Sequence, residues 1–191
     1  MNLSDWNGSR YSREHPMSTP TRPINNITMV NDLMDGRSAS VPWDYIISGL
    51  EAGLRALDAA TRQCETELSK ETATACCAES VAVYGFANDA HIYVPLVFRE
   101  RANEVLAALA RACAAVLRCA EALGDPENRA MVERYARNLA VRYRLVEASR
   151  DRSTAELRKV MDDYAKELTL REPSAMERLR VDARRVAARA V

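Results

Sequence analysis

Apolar residues recur along most of the chain at three- and four-residue steps, the spacing that lines one face of an α-helix. Trp43, Ile47, Leu50, Leu54, Leu57, Cys64 and Leu68 form the clearest stripe, opened by Ser40-Val41-Pro42, whose proline pre-sets the first turn. A second stripe of small residues runs beside it: Gly49, Gly53, Ala56 and Ala60. A glycine inside a helix costs about 1 kcal/mol relative to alanine, so two of them imply a backbone packed closely against this side. That backbone belongs to this chain or to a second copy, which makes the four residues the candidate self-association surface.

Four more helices follow from pattern and caps. One spans about Arg99 to Leu123, with Leu106, Leu109, Cys113 and Val116 inward and Gly124 as its stop. Asp125-Pro126-Glu127 starts the next with a cap, a first-turn proline and an acid facing the helix dipole. Ser153-Thr154-Ala155-Glu156 and Ser174-Ala175-Met176-Glu177 read as capping boxes for the last two. A short helix is also expected around Ile27, Val30, Leu33 and Met34, ending at Gly36.

Between about 80 and 97 the period changes. Val81, Val83 and Gly85 alternate with Ala82, Tyr84 and Phe86, and Ile92, Val94 and Leu96 alternate with His91 and Tyr93 around Ala87-Asn88-Asp89-Ala90. This reads as a small β-hairpin, with a helix through Cys76–Tyr84 as the other reading. Residues 1–25, which carry Gly8, Pro16, Pro20 and Pro23 and no sustained periodicity, read as an extended arm. The expected architecture is therefore a mainly α bundle of about five to six helices over residues 26–191, with a hairpin insertion and an N-terminal arm.

Composition changes this picture in only a few respects. The chain of 191 residues has a formal net charge of zero, but residues 1–98 carry −5 and residues 99–191 carry +5. Opposite-sign halves suit head-to-tail contact or an anionic partner for the basic half. Lysine occurs only at 70, 159 and 166, and Gln63 is the sole glutamine, a bias that fits a thermophile or a GC-rich genome. No run approaches the roughly 18 apolar residues of a membrane helix and no apolar leader is visible, so a cytoplasmic location is expected. An odd count of five cysteines argues against a secreted disulfide framework.

Candidate chemistry is sparse. His15 and His91 have no second histidine or cysteine at ligand spacing, and Cys113 and Cys119 lie on different helix faces. There is no Glu-x-x-His pair, no phosphate-binding glycine loop and no nucleophile elbow. Neither a metal, a cofactor nor an enzymatic activity is expected. The acidic pairs Glu100/Glu104 and Asp163/Glu167 leave one enzymatic alternative, a divalent-ion-dependent all-helical nucleotide hydrolase.

The arginines are more informative. Arg134, Arg137 and Arg144 gather on the side of their helix opposite its apolar residues, and the last helix adds Arg178, Arg180, Arg184, Arg185 and Arg189. Guanidinium forks match phosphate oxygens, so Arg134, Arg137, Arg144, Arg184 and Arg185 are the candidate nucleic-acid contacts. The leading expectation is a non-catalytic helical assembly subunit of a nucleoprotein complex, contacting the nucleic-acid backbone. Small helical subunits of CRISPR effector complexes are of this class, though no residue motif is shared. A coat protein of a filamentous or rod-shaped virion is the alternative.

Overall fold

The computed structural model describes residues 43–93, 101–168 and 172–190. Six helices account for nearly all of them: α1 (Trp43–Thr66), α2 (Lys70–Tyr93), α3 (Ala102–Ala122), α4 (Pro126–Arg150), α5 (Thr154–Leu168) and α6 (Pro173–Ala187). The N-terminal arm and the expected helix around Ile27–Met34 lie outside the described residues. None of the described helices is long and apolar enough to cross a membrane.

Helix α3 forms the centre because small side chains leave it nothing to hold its neighbours away. Ala108, Ala110, Ala112 and Ala120 are buried around it, and Val105, Leu109, Cys113, Val116 and Cys119 fill the spaces between helices. Ile46, Leu50 and Leu57 of α1, Val83 and Phe86 of α2, and Val132, Leu139 and Val146 of α4 close one continuous core on it. Asp125 caps α4 as its sequence implies, its carboxylate accepting the Asn128 amide at 2.8 Å. Ser153 caps α5 through the Glu156 amide at 3.3 Å. The last helix begins one residue before the expected serine cap, at Pro173, and the Ser174 hydroxyl turns to the Glu172 carboxylate at 3.2 Å.

The hairpin is not present. Helix α2 runs unbroken through residues 80–93, and there is no strand among the described residues; residues 94–97 lie outside them. The apparent alternation arises because α2 is covered on two sides. Val83, Phe86, Ala87 and Ala90 follow helical spacing into the core, while Tyr84 and Asn88, one turn apart, meet α4. Two helical faces superimposed on six residues read as a period of two, and tertiary packing overrides the β-preference of valine and tyrosine.

The small-residue stripe is likewise resolved within the chain. A Cβ on Gly49 would lie 2.3 Å from the Phe86 ring, and one on Gly53 would lie 3.3 Å from Val83 Cγ2. Gly49 and Gly53 therefore seat α2 on α1, while Ala60 is buried and Ala56 half-buried. Gly49→Ala is expected to lower unfolding free energy by about 1–3 kcal/mol, the cost of overpacking a ring that has no room to move. Gly53→Ala, needing only tenths of an ångström, should stay within about 1 kcal/mol of the parent because its helix preference improves. Urea denaturation of the two variants checks the contrast.

Candidate nucleic-acid interface

Helix α4 carries most of the predicted contacts, and the structure divides them. Arg134 is exposed and makes no ion pair among the described residues. Arg137 is 7% exposed; its Nε and Nη2 both donate to Glu167 Oε1 of α5, at 3.2 and 3.1 Å. Arg144 is half-buried, donating to Asp182 of α6 at 2.9 Å and pairing with Glu156 of α5. On α6, Arg184 is exposed and forms no ion pair among the described residues, whereas Arg185 is 74% exposed and 3.8 Å from Asp182.

The predicted face thus exists as a row of arginines, but Arg137 and Arg144 do not lie on open surface. Their spacing opposes the apolar side of α4 and so predicts an outward position. That holds for a helix packed on one side only. Helix α4 packs against α2, α3, α5 and α6, and the last two cover the side away from the main core. A small second cluster, Val141 with Val160 and Leu179, fixes this layer, with Leu145 and Tyr164 beside it.

Helix α5 is matched to the arginines beneath it. Glu156, Val160, Asp163 and Glu167 fall at i, i+4, i+7 and i+11, one stripe along the helix. The three acids meet Arg144, Arg178 and Arg137 in turn, with Arg178 donating to Asp163 at 2.6 and 3.2 Å. Hydrogen bonding to Arg178 holds the Asp163 carboxyl below its usual range. The pair Asp163/Glu167, a candidate ion site in the sequence, is therefore taken up by guanidinium groups. Glu104 pairs with Arg101 at 3.2 Å, and Glu100 lies outside the described residues. Among the described residues no group of three or more His, Cys, Asp or Glu side chains is arranged to hold a metal ion.

Sequence reasoning missed Arg142, one turn beyond Asn138. Its Nε donates to Asn88 Oδ1 at 2.5 Å and its Nη1 to the Asn138 carbonyl at 3.1 Å, and its guanidinium lies 5.2 Å from the centre of the Tyr84 ring. Tyr84 in turn packs on Tyr135, centroid to centroid 5.2 Å. Asn88 had been assigned to a hairpin turn, so no signal pointed to this joint between α2 and α4. Burial, with Arg142 adding to it, pushes His91 down to about 4 and keeps it neutral. Burial also raises the Cys76 thiol and takes Cys113 to about 12, so these thiols stay protonated.

A cleft of about 540 Å³ remains between α4, α5 and α6, with Val141, Val160 and Leu179 in its wall and Arg144, Asp163 and Arg178 on its rim. Comparison with protein-family models, curated proteins and solved structures finds no match.

Two outcomes follow from this geometry. Arg137→Met, which strands Glu167 in a buried site, should cost about 3–5 kcal/mol in urea denaturation, and adding Glu167→Leu should restore most of that loss. His91 carries a sign that can be worked out. Its folded value of about 4 lies below its ordinary 6.5, so between these values the unfolded chain takes up a proton that the folded chain refuses. Stability should fall as pH drops through this window, by up to about 1.4 kcal/mol per pH unit, and His91→Gln should flatten that part of the profile.

Proposed function

We propose that the chain is a non-catalytic helical assembly subunit of a cytoplasmic nucleoprotein complex, touching the nucleic-acid backbone through exposed arginines of α6 and through Arg134 of α4. The observation that carries this reading is the accessibility of Arg184, an exposed guanidinium with no ion pair among the described residues. Its neighbour Arg180 pairs with the exposed Glu177 at 3.5 Å, and Arg185 reaches the half-buried Asp182 only at 3.8 Å while that carboxylate accepts from Arg144. Such surface pairs contribute at most about 1 kcal/mol, so a phosphate can replace the carboxylate at little cost. Arg134, also exposed and without an ion pair among the described residues, extends the set.

Contacts of this kind would be sequence-independent, since they address phosphates and no base edges. Small helical subunits of CRISPR effector complexes are the class analogy. The virion coat alternative draws less on the small-residue stripe, because Gly49 and Gly53 meet Phe86 and Val83 of this chain. Titration of a labelled oligonucleotide at several salt concentrations tests the reading. Arg184→Glu with Arg185→Glu should weaken binding at least about ten-fold and reduce the log–log salt slope by about 1.5 to 2, the share of two phosphate contacts. An unchanged affinity and slope in that variant would count against it.

A further inference from the structure

We propose that α5 is an intramolecular cover: its acidic stripe occupies an arginine groove formed by α4 and α6, and single-stranded nucleic acid binds that groove when α5 swings away. The inference rests on the nucleic-acid reading above and names a second, concealed surface for the same partner. Two features support it independently.

The first is charge complementarity along the whole helix. Glu156, Asp163 and Glu167 sit on one stripe of α5, and each meets a different arginine, Arg144, Arg178 and Arg137. A row of carboxylates laid over a row of guanidinium groups stands where a phosphate backbone would lie, since both present anionic oxygens to the same forks. Asp182, Glu147 and Glu133 stay beside Arg144 and Arg137 when α5 departs, the last two at 4.0 Å, but the three acids of α5 leave together.

The second is weak seating. Among the described side chains of α5 only Val160 and Glu167 are buried, and the 540 Å³ cleft lies between this helix and its neighbours. Glu167 is 2% exposed, yet its Oε2 has no hydrogen-bond partner, so the carboxylate bears its desolvation for one satisfied oxygen. Few buried apolar contacts and a costly ion pair mark the element that opens before the rest. Helix α6, by contrast, is tied into the main core by Ala183 and Val186, so it stays when α5 moves.

The test compares full-length variants with a labelled oligothymidylate. A release variant, Glu156→Gln with Asp163→Asn and Glu167→Gln, should bind at least about ten-fold more tightly than the parent and show a steeper salt slope by about 2 to 3. Adding Arg178→Glu to it should remove much of that gain. A lock variant, Val141→Cys with Val160→Cys, pins α5 to α4 when oxidised. Its binding should drop below that of the parent and return on reduction. The lock leaves all three ion pairs in place, so it decides the matter even where the release variant fails to fold. The cover is overturned if oxidised and reduced lock variants bind alike, or if a folded release variant binds no better than the parent. Where the parent binds through Arg184 and Arg185 but release adds nothing, the cover alone falls. Where neither parent nor folded release variant binds, the nucleic-acid reading falls with it.

Discussion

Arg137 donates two hydrogen bonds to one oxygen of Glu167 in a site closed to solvent, and the arrangement of the outer helices depends on that contact. Helix α4 is polar for a helix with neighbours on so many sides, and its guanidinium groups join layers that apolar side chains do not join. Arg142 binds α2, Arg144 binds α5 and α6, and Arg137 holds the far end of α5. Each is a directed fork, so together they set where along α4 its neighbours sit as well as how closely they approach. The energetic balance is narrow, because taking a guanidinium and a carboxylate out of water costs about as much as their attraction returns.

Two layers of unequal character result. Helices α1 to α4 and the second half of α6 share an alanine-rich core in which helix backbones run close together, with Gly49 and Gly53 seating α2 on α1. Helix α5 rests on three ion pairs and a few valine and leucine contacts. Burial of apolar area gives the first layer its stability, whereas the second is set by charge matching, which is directional and, at the partly exposed Arg144–Glu156 and Arg178–Asp163 pairs, sensitive to salt. A protein organised in this way has a rigid body and one helix held to it chiefly by charge.

Much of the helical architecture was legible in the sequence because its signals are local. Asp125-Pro126 and Ser153 carry their caps wherever the rest of the chain goes, and the apolar stripe of α1 needs only a partner somewhere. The hairpin reading failed where two burial faces of α2 overlapped, at Tyr84 and Asn88 on one side and Val83 and Phe86 on the other, and no single period describes them both. The arginine row was visible, but what lies over it was not. Spacing along α4 says which residues share a side; only the acidic stripe at Glu156, Asp163 and Glu167 hints that the side is taken, and that hint requires knowing α5 is its neighbour. Gly49 and Gly53 imply a close approach in the sequence without naming its partner, and Phe86 and Val83 are what meet them in the fold.

Native-state hydrogen exchange, followed amide by amide, tests most directly whether charge matching seats α5 while the apolar core holds the rest. The account predicts that amides in the middle of α5 exchange through an opening of lower free energy than those of α3 and α4, and that added salt lowers it further while leaving the α3 core nearly unchanged. Exchange of α5 at the same free energy as α3, with the same response to salt, would contradict it.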